Sequence, residues 1–198
     1  TYPNIDVHLA VGNHREMMKR LDENLDDLYF FADPPASEQY EALRVGANKL
    51  LLIASAKHPL AGRKALKWSD LENETLLLRE DGSGSRRMLE QHLAAQDYVI
   101  PKHRVIASNE GIKHAVLAQL GIAVVSAHTL DHGASEDLVQ LNVEGFPIDS
   151  QWYLLNHRDK KFSVLAQAFR DFLLDEGGQM LSEGLAYWEQ HRQPRLPR

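Results

Sequence analysis

Two stretches of this chain carry residue types that could hold a ligand. The first is Glu80-Asp81-Gly82-Ser83-Gly84-Ser85-Arg86-Arg87, between an apolar run and a segment with Met88, Leu89 and Leu93 on one helical face. Glycines let backbone N–H groups turn inward, serines add hydroxyl donors, and Arg86 offers a planar cationic fork suited to phosphate or carboxylate. The second is Ser108-Asn109-Glu110-Gly111, between the apolar residues Val105-Ile106-Ala107 and a helical pattern of Ile112, Ala115, Val116, Ala118 and Leu120. There a strand's carboxyl end meets a helix's amino end, the place where open α/β sheets bind ligands and where free N–H groups favour an anion. The ordinary role of Ser108 or Asn109 would be to cap the helix, and the first stretch could equally be a capped flexible loop.

Magnitudes narrow the ligand. A helix start contributes ~0.3–1 kcal/mol, up to ~2 when partly buried, and a charge-assisted hydrogen bond ~1.5–3 kcal/mol. Micromolar affinity needs about 8 kcal/mol net of ordering costs. Two helix starts and one or two arginines could reach that with a phosphorylated or dicarboxylate metabolite, whereas a neutral ligand would leave the donors underused.

Other chemistry finds no support. The glycine-serine loop lacks the lysine of a P-loop, Arg87 stands where a dinucleotide fingerprint needs its last glycine, and no G-x-S-x-G elbow fits. His128 and His132 are spaced for one helix face, but no carboxylate completes a metal motif. The adjacent Asp26-Asp27 could pose as an acid/base pair; at a strand entry such acids are usually solvated. No Ser-His-Asp arrangement follows from spacing. A non-enzyme without metal or cofactor is expected.

The elements that must position these residues are those of an α/β protein. Ile5, Val7, Leu9 and Val11 alternate with polar or small residues and predict a half-buried strand. Met17, Met18, Leu21 and Leu25 mark a helix beginning near His14-Arg15-Glu16, and Leu28 to Ala32 a short strand closed by Pro34-Pro35. Val45-Gly46-Ala47-Asn48 interrupts the pattern before a buried strand at Leu50–Ala54. Trp68–Leu71 predicts a helical turn, and Leu76–Arg79 a strand leading into the first loop. Gly121 stands where the central helix wants a left-handed residue, and Ile122–Val125 reads as a strand. Strands are expected around Leu138–Val143 and Gln151–Leu155. A helix with Leu165, Phe169, Phe172 and Leu173 should stop at Gly177-Gly178, before an amphipathic piece holding Met180, Leu181, Leu185 and Trp188. The basic end from His191 to Arg198 is expected to be mobile.

Bulk composition agrees with a soluble protein: 198 residues, 43% hydrophobic and 25% charged. A net charge of −6 argues against gripping nucleic acid through the overall field. No cysteine is present, which excludes disulfides and thiolate chemistry and fits the cytoplasm. No apolar run approaches the ~20 residues of a bilayer span.

In order along the chain, YPNIDVHLAVGN, DENLDDLYFF followed by PP, HPLAGRKALKWSDL, LLREDGSGSRR, ASNEGIKHAVLAQLGIAVVSAHTL and VEGFPIDSQWYLL resemble the effector-binding domain of LysR-type transcriptional regulators. The nearest likeness is to the CbbR/CmpR branch, which controls carbon-dioxide-fixation genes, and it extends to about Leu174. The resemblance implies a type-II periplasmic-binding-protein fold, with two α/β lobes joined by two crossover strands. Lobe I would be residues 1–47 and 152–198, lobe II 48–151, with crossovers near Gly46–Leu50 and Ser150–Tyr153. It implies that Ser83, Gly84, Ser85 and Arg86, with Ser108, Asn109, Glu110 and Gly111, face the cleft and that Gly121 and Ile122 lie behind them. The implied effector is a small anion, a phosphorylated Calvin-cycle-type metabolite. The implied partners are further copies in a dimer or tetramer, and DNA only through a domain outside this stretch. No membrane contact is implied. The family's winged helix, linker helix, and first lobe-I strand and helix are not in the sequence. Ser85 stands for the usual threonine and Gly111 for the usual alanine, the latter loosening a helix start by up to ~1 kcal/mol. A transport solute-binding protein of the same fold is the alternative.

Overall fold

A run such as Leu50-Leu51-Leu52-Ile53-Ala54 has no polar side to turn to water, so it must be covered on both faces. In the computed structural model, which describes residues 6–100, 102–130 and 137–191 with side chains to residue 186, that is what happens. The run belongs to the strand β2 (Tyr40–Ser55), and its alternate side chains enter two different cores. Leu50, Leu52 and Ala54 pack with Met88, Leu89 and Leu93 of the helix α2 (Gly84–Ala94) and with Trp68 and Leu71 of a short 3-10 turn. Leu51 and Ile53 pack on the opposite face with Ile112, Ala115 and Val116 of the helix α3 (Asn109–Leu117).

Among the described residues the sheet has seven strands. With α1 (His14–Asp22), β1 (Tyr29–Phe31), β3 (Leu76–Leu78), β4 (His103–Val105), β5 (Ile122–Ser126), β6 (Leu138–Gln140), β7 (Ile148–His157) and α4 (Val164–His191), its order is β1-β7-β2-β5-β3-β4, with β6 also on β2. β3 runs parallel to both β4 and β5, while β2 is antiparallel to β5, β6 and β7. The mixed α/β architecture thus has two long antiparallel strands, β2 and β7, running through its middle. A third cluster of Leu21, Tyr29, Phe31, Tyr40 and Leu155 sits at the β1 end of the sheet.

Several expectations change. β2 is not interrupted at Val45–Asn48; it continues, and the register against β7 shifts between Arg44 and Gly46, so the break in pattern is a bulge. Residues 6–11 form no strand, and Val7, Leu9 and Val11 are 58%, 85% and 85% exposed. Alternation makes a strand only beside a partner, and none lies there among the described residues. The first helix ends at Asp22, so Leu25 lies beyond it and is exposed. The strand before Ser108 is His103–Val105, two residues earlier than expected.

Glycine placement differs most. The left-handed residue closing α3 is Gln119 (φ 58°), with Leu120 N–H returning to the Ala115 carbonyl; Asn24 and Asp97 do the same for α1 and α2. Gly121 (φ 157°) serves a close approach instead, because a Cβ there would lie 2.1 Å from the Thr75 carbonyl oxygen. Gly177-Gly178 do not stop the last helix, which is one 28-residue α4. They let it press onto β2: a Cβ on Gly178 would come 2.7 Å from the Val45 carbonyl oxygen. The basic end (192–198) and His132 fall outside the described residues. Among the described residues no helix is long and apolar enough to cross a membrane.

Candidate functional site

Three helices begin around one cleft of about 190 Å³. Gly12, Asn13 and His14 bring the start of α1, Ser83, Gly84 and Ser85 that of α2, and Asn109 that of α3. Phe30 to Asp33, Asn48, Arg79, Ser126, Thr129 and Trp152 complete the wall with the apolar side chains of Met17, Leu50 and Met88. The starts are not equivalent. Asn13 and Glu16 form a reciprocal capping box on α1, and the Ser108 hydroxyl accepts from the Gly111 N–H at 3.0 Å on α3. Ser83 at the start of α2 makes no side-chain capping bond; its hydroxyl meets that of Ser85 at 3.1 Å. First-turn N–H groups of α2 are therefore left for another acceptor.

Of the ten residues named from sequence, Ser83, Gly84, Ser85 and Asn109 line the cleft. Arg86 does not: its Nε donates to Glu90 Oε1 at 2.7 Å and Nη1 to the Arg79 carbonyl at 3.3 Å. Ser108 is the cap of α3, and Glu110 is exposed with its carboxylate 2.6 Å from Lys113 Nζ. Gly111 fits where a Cβ would meet Ile106 at 2.8 Å and the Ser108 hydroxyl at 2.9 Å, so glycine here makes room for the cap. Gly121 and Ile122 lie at the sheet, Ile122 paired with Leu76, and do not reach the cleft.

The arginine at the cleft is Arg79. Its Nη1 donates to Asn109 Oδ1 at 2.6 Å, while Nε and Nη2 donate to the Glu80 carboxylate at 2.8 and 3.0 Å. Burial works to raise the Glu80 carboxyl, but these bonds, a bond from its own backbone N–H and the charges of Arg79 and Arg86 together outweigh it and hold it below the ordinary carboxylate range. A buried polar group sits among apolar side chains in the lining: Asn48 is 1% exposed and accepts from the Ser126 hydroxyl at 2.7 Å. Trp152 contributes an indole N–H with no partner among the described residues.

Two ion pairs join α1 and the chain after β1 to the α2 side of the molecule. Arg15 meets Asp81 at 2.8 Å and Arg87 meets Asp33 at 2.6 Å. Arg15 holds the Asp81 carboxyl below its ordinary range. His14 is pushed down by burial and by the Arg87 charge, against an opposing pull from Asp33. Arg79, Asn48, Trp152 and His14 escaped sequence reasoning because nothing local marks them: each reaches the cleft through strand pairing or helix docking far along the chain.

A pocket of dipoles and balanced charges at the switch point of an α/β sheet suits a small anion, and comparison with known proteins says which family built it. Residues 1–178 match the LysR substrate binding domain. The chain belongs to that family. The activator CmpR of Synechocystis is 39% identical over 173 residues, 87% of this chain and 57% of its own length. A RuBisCO operon transcriptional regulator of Allochromatium vinosum is 39% identical over 177 residues, covering 89% of this chain and 59% of that one. This LysR-family chain thus spans little more than half of those curated relatives. The regulatory domain of Synechocystis CcmR, solved in complex with 2-PG, superposes with a TM-score of 0.82 at 37% identity over 87% of this chain and 84% of that one. The effector-binding domain of QuiR in complex with shikimate, 19% identical with a TM-score of 0.73 over 85% and 79% of the two chains, shares the fold. The type-II periplasmic-binding-like architecture and the likeness to regulators of carbon fixation therefore stand.

Proposed function

We propose that this chain is the sensor domain of a cytoplasmic LysR-type regulator of carbon-dioxide-fixation genes and that it binds a small phosphorylated anion in the cleft. The observation that carries this reading is the convergence of three helix starts, one of them uncapped, with Arg79 on a single cavity that sets polar groups among apolar side chains. Size supports it too: about 190 Å³ is below the ~300–1,000 Å³ typical of drug-sized ligands, which favours an acid of a few carbons over a dinucleotide. The 2-PG in the CcmR regulatory domain is the same class of ligand.

Residues 1–47 with 152–198 form lobe I in this reading, and residues 48–151 lobe II. β2 and β7 are the crossovers, and the bulge at Arg44/Gly46 is where their angle can change. The anion's phosphate sits on the N–H groups and hydroxyls of Ser83 to Ser85, and its other end meets Asn109 and Asn48. Binding shifts the balance between lobe arrangements, and dimer or tetramer packing passes the change to a DNA-binding domain. The chain performs no catalysis. A transport solute-binding protein is the weaker reading, since the relatives named above are transcription regulators.

Thermal melting with phosphoglycolate, ribulose bisphosphate, nicotinamide dinucleotides and inorganic phosphate, each at two salt concentrations, tests the proposal. A small phosphorylated acid should raise the midpoint with dose. No shift with any phosphorylated compound would refute it.

A further inference from the structure

One wall of the cleft carries a titratable group that this reading leaves idle. His14, the first residue of α1, lines the cavity with Ser83, Gly84 and Ser85. Its ring stands edge-on to Phe31, with centroids 5.2 Å apart. Its Nδ1 lies 3.4 Å from Arg87 Nη2, and that nitrogen in turn meets Asp33 Oδ2 at 2.6 Å and the Asp33 carbonyl at 3.3 Å. An arginine N–H can only donate, so Nδ1 accepts and the neutral ring carries its hydrogen on Nε2. No hydrogen-bond partner meets Nε2 among the described residues.

Resting on the anion-binding reading, we propose that His14 is an effector contact whose Nε2–H donates to the bound anion and whose ring takes up a proton from solvent as the anion enters, so that binding reports pH as well as metabolite. The charged groups facing the ring are few. α2 contributes Arg87 and the chain after β1 contributes Asp33, while β1 offers only the Phe31 ring. On α1 itself, Arg15 is tied to Asp81 and Glu16 to the Asn13 N–H. With the ring neutral, Arg87 and Asp33 cancel and the cluster has no net charge. A proton on Nδ1 makes it a cation and ends its acceptance from Arg87, whose Nη2 keeps the Asp33 carboxylate and carbonyl; the empty cleft opposes this through burial and Arg87, and an incoming anion favours it.

The sign follows from linkage. Entry of the anion raises the histidine from its depressed free value, so protons are absorbed in the window between the free and bound values. Affinity is greatest at the acid side of that window and is lost as pH rises through the bound value, by at most about tenfold per pH unit for one proton.

The experiment is calorimetric titration of phosphoglycolate between about pH 8 and about pH 6.5, in buffers of differing ionisation enthalpy, which counts protons directly. The phosphate's own second ionisation near ~6 is common to all variants and cancels on comparison. Relative to His14→Gln, which keeps an N–H donor but cannot titrate, the wild type should absorb additional protons. Its affinity should gain about three- to tenfold more on acidification. His14→Phe should bind more weakly than His14→Gln at every pH. Equal proton uptake in wild type and His14→Gln overturns the inference while leaving the anion site intact. Failure of the wild type to bind any phosphorylated acid overturns both. Should the variants not fold, the carbon-13 shift of the His14 ring in the wild type decides: it moves toward imidazolium on adding phosphoglycolate, or the inference falls.

Discussion

Arg79 Nη1 donates to Asn109 Oδ1 across 2.6 Å, tying the exit of β3 to the first residue of α3. Since the Asn109 oxygen accepts that bond, its amide nitrogen is the end left to donate in the cleft. Glu80 takes the other edge of the guanidinium, so the fork is held rigid and its charge is locally balanced. The cleft is thus organised by aimed dipoles more than by net positive charge, which lowers the desolvation cost of the empty state.

Arg79 should therefore matter more to anion binding than Arg86. Because Arg79→Ala would strand the half-buried Glu80, the cleaner variant is Arg79→Ala with Glu80→Gln. We expect it to weaken phosphoglycolate binding by about 10-fold, roughly the worth of one hydrogen bond, because Asn109 loses the bond that orients its amide in the cleft. Arg86→Ala should cost about threefold or less, as Arg86 does not line the cleft and its bonds to Glu90 and the Arg79 carbonyl aim no group into it. Calorimetry checks both; the reverse ranking would move the anion to the Arg86 side of α2.

The contrast between these two arginines shows what a sequence can yield. The loop was legible because glycine and serine before a helical pattern have a local physical meaning, and Ser83, Gly84 and Ser85 do line the cavity. Arg86 looked like the cation of that loop only because it is adjacent; the spacing to Glu90 is the intrahelical pair that uses it instead. Arg79 was hidden in a strand, and its reach to Asn109 depends on β3 lying parallel to both β4 and β5. Likewise Gly121 and Gly178 look like helix stops, whereas their need for glycine comes from Thr75 and Val45, far away in the chain. Long-range backbone approach leaves no periodic trace.

Those glycines give a paired prediction. Gly177 and Gly178 are neighbours inside α4, where alanine is ordinarily better by ~0.8–1 kcal/mol. A Cβ on Gly177 meets Val45 at 3.7 Å, an ordinary contact, so Gly177→Ala should stabilise by about that amount. On Gly178 it would lie 2.7 Å from a backbone oxygen, so Gly178→Ala should destabilise by ~1–3 kcal/mol through overpacking. Urea denaturation of the two single variants checks the opposite signs.

Acid should weaken the fold at a pH where most carboxylates are still ionised. Burial lowers His92, whose ring lies edge-on to Phe146 and receives the Gln96 amide at 2.9 Å; burial and Arg87 lower His14. Below the ordinary histidine value of ~6.5 the unfolded chain binds protons that the folded one refuses. Stability should fall as pH drops from there toward the depressed folded values, by at most ~1.4 kcal/mol per pH unit for each histidine. Urea midpoints at about pH 7.5 and about pH 5.5 measure it. His92→Gln should flatten the slope, and an unchanged slope would mean that His92 is solvated in solution.

The ion pairs Arg15–Asp81 and Arg87–Asp33 should contribute unequally. Arg15 and Asp81 are 72% and 79% exposed at the side chain, where water screens the attraction and the long arginine side chain must be ordered. Asp81→Asn should leave stability unchanged. Arg87 and Asp33 are 40% and 31% exposed, and Arg87 Nε is already buried without a partner among the described residues. Removing the carboxylate leaves a half-buried cation facing only a carbonyl and the His14 ring, so Asp33→Asn should cost ~1–2 kcal/mol. If the two variants unfold at the same urea concentration, or if high salt erases the cost of Asp33→Asn, the Arg87 pair is a screened surface contact and does not tie α2 to the chain after β1.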